Sequence, residues 1–545
     1  MSEAAPPQAK SGAAVFSTPR FTLAILIATL VLAAVLLFTR LGHYALWDDE
    51  SYTALGARGV LRTGDTSILL DHGNIVACRG GLLVTNMCDR ATPPLPAYLV
   101  AASFALFGQD TWTARLPFAL AGLGTIALVL LWARRQGWLF MAVTALGFLG
   151  NVSLLLFCRQ CRYYALAIFF STAIVLLYSR AKWTPRNLFT LSLLSALLFA
   201  SQYLDYFALY ACLALDYAVW KRHESPLGWR GALWLFLPQA ILNGIVGAIW
   251  NPLLTPFDSY ATHVTFLDHF TLFYRYWRDV DFSEFVSLPL LLVTLIVGLN
   301  QRRTWLVRGC GALAVYLTMM ALLCEQPPNA SVVADTRYVI PIIPLAIVLE
   351  AALVCLASRH RPALALAAAL FVFFTNTLFF VSVAGNSLRS TPASFVRELI
   401  NPVPEPITPT ADWIAAHVPD GASVWVEPDY LAYPLMFRAP NALYAWQLAW
   451  PPLPNFASLP RIHFHLQEPP DYIIAFAPSV PAVNRLVTDW RGNGLLYKWT
   501  ATIPVFWRPL YRPELFWHSF TPVPTYNPKT QSVYIYARVK TPRNP

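Results

Sequence analysis

The chain has 545 residues, 57% of them hydrophobic and 12% charged, with a formal net charge of +10. A mean hydropathy of +0.49 excludes a soluble globular domain. The Lys and Arg residues are scattered through short turns between apolar runs, so the positive charge reads as membrane topology and not as nucleic-acid binding.

The first apolar run, Phe21 to Phe38, follows Lys10 and Arg20 and lacks a small-residue cleavage site, which predicts an uncleaved first helix. Further apolar segments run from Leu116 to Ala133, Trp138 to Phe157, Tyr163 to Tyr178, Leu188 to Tyr203, Phe207 to Trp220 and Ala232 to Trp250. Four more run from Phe285 to Leu299, Cys310 to Leu323, Val339 to Leu356 and Ala363 to Val383. Each is long enough to cross, or nearly cross, ~30 Å of hydrocarbon. The stretch Pro93 to Phe107 is shorter and opens on Pro-Pro-Leu-Pro.

Basic turns orient this bundle. Arg134/Arg135, Arg180/Lys182/Arg186, Lys221/Arg222/Arg230, Arg302/Arg303/Arg308 and Arg359/Arg361 read as cytoplasmic, which puts the N-terminus inside. The alternate connections are poorer in base; one turn, with Arg159 and Arg162, dissents on the outer side. The loop around Trp47 is then outside and Arg134 inside, so an odd number of crossings separates them. Pro93 to Phe107 is therefore expected not to cross, and the C-terminus is expected outside.

After Val383 the chain becomes rich in Pro and turn residues. A helix is expected to start at Thr410-Ala411-Asp412 and to end near Val418-Pro419-Asp420-Gly421. Strands are expected over Ser423 to Val426, Asp471 to Phe476 and Ser532 to Val539. The expected fold class is thus a polytopic α-helical membrane bundle over residues 1–386, with an outer loop and interfacial helices over 39–115. An extracytoplasmic α/β domain follows over 387–545.

Of eight cysteines, Cys212, Cys310 and Cys355 lie in apolar helices and read as packing residues. Cys78 and Cys88 share the first outer loop, where an oxidising compartment predicts a disulfide. Cys158 and Cys161 have C-x-x-C spacing with no partner pair or nearby His pair, which favours a structural role. There is no Walker A loop, no G-x-G-x-x-G and no H-E-x-x-H, so ATP-driven and zinc-protease chemistry have no support. Asn329-Ala330-Ser331 is a sequon on the outer side.

The chemistry-bearing residues gather on that outer side. Asp48, Asp49 and Glu50 follow the first span by about ten residues, and such a cluster is expensive near hydrocarbon unless it has a function. Asp89 and Arg90 share its loop. Arg115 opens a helix, Arg162 precedes Tyr163, Arg275 and Arg278 lie in a long outer loop, and Arg337 precedes Tyr338. The plain alternatives are a capped juxtamembrane helix for the acids and snorkelling at helix ends for the arginines. Acid and base on one membrane face also suit transfer from a lipid phosphate: Arg grips the phosphate and a carboxylate activates a hydroxyl.

Five motifs occur in order: Trp47-Asp48-Asp49-Glu50, Thr92-Pro93-Pro94-Leu95-Pro96-Ala97-Tyr98, Arg115-Leu116-Pro117, Arg162-Tyr163-Tyr164-Ala165-Leu166 and Arg337-Tyr338-Val339-Ile340-Pro341. Together they resemble the successive motifs of GT-C fold glycosyltransferases, closest to the dolichyl-phosphate-mannose protein mannosyltransferase and aminoarabinose transferase-like group. The resemblance spans the helical two thirds of the chain. It implies a polyprenyl-phosphate sugar donor, a reaction on the outer face, and a protein, lipid or glycan acceptor. It places the base on Asp49, with Glu50 and Asp48 beside it, and makes Arg162, Arg337, Arg115, Arg275 and Arg278 the candidate phosphate ligands. Tyr163, Tyr338 and Asp89 are further candidates. The residue before Pro93 is often His in the family and is Thr92 here. No cofactor is required. The acidic triplet could offer oxygens to a divalent metal, but His43 is the one His near it in sequence, which leaves a metal unsupported.

The reading is an inverting glycosyltransferase of a cell envelope, expected in a bacterial inner membrane. A transporter or flippase is the main alternative, but its essential charges belong near the membrane midplane. Here Asp205 and Asp216 are the chief acids inside apolar segments. A non-catalytic envelope assembly protein accounts for the C-terminal domain but not for the ordered motifs.

Overall fold

The structure is a computed structural model that describes residues 19–77, 84–179, 183–251, 266–324, 336–359, 361–379, 390–402, 405–492, 495–504 and 532–539. Helix α1 (Pro19–Phe38) carries the first apolar run. It shows Leu23, Ile27, Val31 and Val35 on one exposed stripe, which is the lipid-facing pattern of a bundle helix. Next come α2 (Asp48–Thr63), a hairpin of β1 (Val84–Thr85) with β2 (Cys88–Asp89), α3 (Leu95–Phe107) and α4 (Thr111–Ala133). The expected segment Trp138 to Phe157 is two helices, α5 (Trp138–Gly150) and α6 (Val152–Cys158), bent by 66°. Asn151 is the reason for the break: its side chain accepts from Leu154 N–H to cap α6 and donates to Phe285 O.

The bundle continues with α7 (Tyr164–Ser179), α8 (Pro185–Ser201), α9 (Tyr203–Asp216) and α10 (Trp229–Ile249). An amphipathic helix, α11 (Phe266–Phe282), lies where the sequence suggested only a loop. Then follow α12 (Leu288–Asn300), α13 (Thr304–Leu323), a 3-10 turn (Thr336–Ile342), α14 (Ile343–Ala357) and α15 (Pro362–Phe374). Among the described residues five helices are long and apolar enough to cross a bilayer, and the bent α5–α6 pair makes a sixth. The apolar window of Thr336–Ala357 is 89% buried and that of Trp229–Ile249 only 11%, so α14 is the central post and α10 a lipid-facing one. A carboxylate lies inside that post in addition to Asp205 and Asp216 elsewhere: Glu350, buried, accepts from Ser287 N–H at the start of α12. Helix α3, at about 20 Å for its length, is too short to span alone and packs against α2 and α4.

After α16 (Thr391–Ile400) comes an α/β unit: α17 (Ile407–His417), β3 (Ser423–Glu427), α18 (Ala432–Arg438), β4 (Leu443–Tyr444), β5 (Tyr472–Phe476), α19 (Val480–Gly492), β6 (Tyr497–Pro504) and β7 (Ser532–Arg538). The sheet order is β4-β3-β5-β7-β6, parallel among β4, β3 and β5 and antiparallel where β7 joins β5 and β6. The three expected strands are all present. Helix α17 begins three residues before the expected Thr410, because the Glu405 carboxylate accepts from Ile407 and Thr408 N–H at 2.5 and 2.8 Å and so caps it. This unit sits on α2 and its loop. Arg58 donates to Phe437 O, and Asn74 exchanges hydrogen bonds with Ala442 O and Tyr444 N–H.

Candidate active site

The acidic triplet forms the first turn of α2, with Trp47 as its N-cap. Successive helical residues point about 100° apart, so the three carboxylates meet three environments. Glu50 turns inward and is fully buried. Its two oxygens accept from Arg115 Nε at 2.8 Å and Nη2 at 2.5 Å, and one also accepts from Cys161 N–H at 2.6 Å. The remaining Arg115 donors go to Leu41 O, Tyr44 O and Ala45 O at 2.8–3.0 Å. Every guanidinium N–H is thereby used, the condition under which a buried ion pair is tolerable. Glu50 also accepts from Trp47 N–H, so for this residue the capping alternative is correct.

Asp49 turns the other way and keeps 22% of its side chain exposed. Arg337 Nη1 donates to Asp49 Oδ2 at 2.6 Å, from the 3-10 turn that leads into the central post. Arg162 Nη2 lies 3.8 Å from Asp49 Oδ1, and Arg162 Nη1 donates to Thr53 Oγ1 at 3.1 Å. Thr53, one turn along α2, donates in turn to Asp49 O. Burial opposes the Arg162 charge, but the Asp49 carboxylate outweighs it and holds that pKa above the usual arginine value. Arg162 Nε is buried with no hydrogen-bond partner among the described residues. The two guanidinium groups lie over the neighbouring rings of Tyr163 and Tyr338 at 5.6 and 5.3 Å.

Of the five candidate arginines, Arg162 and Arg337 therefore converge on Asp49. Arg115 does not: it is spent on Glu50. Arg278 lies on α11 and pairs with its neighbour Asp279, and Arg275 is half-buried on the same helix. Asp48 is half-buried at the start of α2. Asp89 ties the loop down, accepting from Tyr52 OH at 2.7 Å and from Ala91 and Thr92 N–H. Arg90 forks onto Asp65 at 2.7 and 2.6 Å and holds that carboxyl below its usual range. Arg159, the dissenting outer charge, donates to Leu36 O, Leu37 O and Thr39 O and so completes the C-terminus of α1. Asp205, buried at the start of α9, accepts from Tyr316 OH.

Cys88 has a free thiol, and Cys78, its expected partner, lies outside the described residues, as does the sequon at Asn329. Cys158 and Cys161 are buried free thiols, in keeping with a structural role. No group of three or more metal-ligating side chains occurs among the described residues. Sequence reasoning missed Thr53 and the use of Glu50 by Arg115. The helical spacing Asp49 to Thr53 was the available signal for the first.

No protein-family profile matches the sequence, and no curated protein matches it in a sequence search. Solved structures do match. ArnT from Cupriavidus metallidurans in the apo state is 13% identical, with 96% of this chain and 98% of that chain covered and a TM-score of 0.54. The same enzyme bound to undecaprenyl phosphate matches over 95% of this chain and 98% of that one, at 13% identity and a TM-score of 0.52. The oligosaccharyltransferase of Archaeoglobus fulgidus overlaps more loosely, at 12% identity over 85% of this chain and 70% of that one, with a TM-score of 0.43. The chain is an integral membrane protein built on a helical bundle with a C-terminal sheet unit. More narrowly, its fold is the GT-C fold that the order of its motifs led us to expect.

Proposed function

We propose that the protein is an inverting glycosyltransferase that moves a sugar from a polyprenyl-phosphate donor to an acceptor hydroxyl on the extracytoplasmic face. The observation that carries this reading is Asp49 held between Arg162 and Arg337 at the partly exposed start of α2. A single displacement at the anomeric carbon needs a base for the acceptor proton and a cationic site for the departing phosphate, and this cluster offers both. The incoming donor phosphate takes Arg337 and the vacant Arg162 N–H, which frees Asp49 from its ion pair. Asp49 then accepts the hydroxyl proton as the acceptor oxygen bonds to the anomeric carbon. The sugar–phosphate bond breaks and its electrons leave on the phosphate, between the two guanidinium groups. The undecaprenyl phosphate bound by the similarly folded ArnT supports a lipid of this kind as donor. The acceptor is a hydroxyl of a protein, lipid or glycan. The membrane is a bacterial inner membrane, with the N-terminus cytoplasmic.

Asp49→Asn tests the assignment. The variant keeps the size of the side chain and leaves Glu50–Arg115 intact, so it folds and binds polyprenyl phosphate. Its transfer from a radiolabelled polyprenyl-phosphate sugar falls by ~10²–10⁴-fold, the usual worth of a positioned base. Near-normal turnover would leave the mechanism without its base.

A further inference from the structure

A second feature lies at the other end of the bundle, and neither Asp49 nor its arginines take part in it. A cavity of about 360 Å³ opens between α4, α7, α9, α13 and α14. Most of its wall is apolar, including Val129, Val175, Leu209, Leu313 and Val348. Its charged residues, Asp216, Lys221, Glu224 and Arg308, lie at one end, with Tyr178 and Ser179 beside them. Along α9 and the turn after it, Lys221 stands about 24 Å from Asp205, the acid at the α9 end nearer Asp49.

The charges at this end are unequally served. Arg308 donates to Asp216 through Nε and Nη2 at 2.8 and 2.7 Å, and to Glu224 through Nη1 at 2.6 Å. Lys221 is only 2% exposed, yet its ammonium lies 3.5 Å from Ser179 O and 3.6 Å from the half-exposed Glu224. Both distances exceed those of ordinary hydrogen bonds, and an ammonium carries three donors. The rings of Tyr178 and Trp183, at 5.7 and 5.9 Å, give it partial compensation. A lysine that merely snorkelled would carry its charge into water; this one does not reach it. It also closes a π-helical turn, Tyr217–Lys221, a costly local geometry that is concentrated at functional sites.

We propose that this cavity holds an acyl chain of a membrane phospholipid whose anionic phosphate rests on Lys221. The chain replaces void with contact along the apolar wall, and the phosphate oxygens supply acceptors closer than the two the ammonium now has. The basic turns place this end on the cytoplasmic side, so the lipid comes from that leaflet, opposite the face on which Asp49 works.

Native mass spectrometry of the detergent-purified full chain, titrated with phosphatidylglycerol, tests the site. The wild type should retain the lipid against excess inorganic phosphate. Lys221→Gln should lose retention by roughly tenfold or more, as for one hydrogen bond to a charged group. Ala312→Trp, which fills the cavity from α13, should lose it too, and Lys221→Arg should keep it. Equal retention in Lys221→Gln and Ala312→Trp overturns the proposal. So does displacement by an equal amount of undecaprenyl phosphate together with loss of that lipid in Lys221→Gln, because the cavity would then belong to the donor. Displacement by inorganic phosphate alone overturns it as well. The readout is lipid retention and not transfer, so its failure leaves the reading of Asp49 untouched.

Discussion

Three adjacent carboxylates at the start of α2 do three different things, and the difference is one of orientation. Glu50 is a structural acid: with Arg115 it joins α2, the loop before it, α4 and the turn at Cys161. Because that turn also carries Arg162, Glu50 positions the guanidinium that lies beside Asp49. Replacing Glu50 by Ala would leave the Arg115 charge buried and unpaired. Such a loss costs about 3–5 kcal/mol, so Glu50→Ala should unfold well below the wild type in a detergent thermal melt. An unchanged melting temperature would show that the pair contributes nothing to the fold. The sequence made Asp49 and Glu50 look like partners; their roles separate only when their contacts are seen.

At the scale of elements, α2 is held by its neighbours as much as by its own pattern. Gly59 lies in its interior, where Gly usually costs about 0.5–1 kcal/mol relative to Ala. Gly59→Ala should nonetheless destabilise, because the added Cβ would collide with the carbonyl oxygen of Ser67 in the loop that folds back on α2. A melting temperature at or above the wild-type value contradicts this. In the C-terminal unit, His463 is 2% exposed and its Nδ1 has no partner among the described residues, and burial pushes its pKa below the usual value. The folded state therefore refuses a proton that the unfolded chain accepts below about pH 6.5. Stability is unaffected above that value and falls as the pH drops toward the depressed pKa. His463→Leu should flatten the melting temperature between about pH 7 and 5; an equal slope in both proteins would place the acid sensitivity elsewhere. Helix α11 shows how an element escapes a sequence reading. Its buried residues Leu272, Tyr276 and Val280 repeat every four positions, a legible helical stripe. The acids Asp268, Asp279 and Asp281 interrupt its hydropathy, so between apolar spans it reads as a polar loop.

Across the whole molecule, the C-terminal sheet unit and the start of the bundle form one core. Val424, Tyr444, Ile474 and Val533 belong to the same buried cluster as Leu55, Phe104 and Phe118. Arg58 lies 4.2 Å over the ring of Phe437, and Asn74 bonds to Ala442 O and Tyr444 N–H along one edge of β4. The sheet unit therefore shares a membrane side with Asp49, and we propose from the basic turns that this side is the outer one. Cysteine at Asp420, an exposed turn residue, should be labelled by an impermeant thiol reagent in intact cells. Labelling only after lysis would invert the topology and remove the proposed site from the outer face. Ser532, at the start of β7, is buried and would be a poor probe of the same point.

The sequence by itself determined the bundle, its apolar segments, the α/β character of the C-terminal part and the ordered motifs. These depend on local quantities: hydropathy over a span, strand alternation and the identity of short runs. It did not reveal that Asn151 breaks one span in two, that Glu350 lies inside the central post or that Lys221 is buried. Nor could it say which arginine meets which acid. Asp49 and Arg337 are 288 positions apart, and Glu50 and Arg115 are 65 apart. Contacts over such distances are set by how helices pack and rotate against one another, and a rotation of about 100°, one residue in register, exchanges the buried acid for the exposed one. That choice belongs to the tertiary structure, and the proposed chemistry of the protein rests on it.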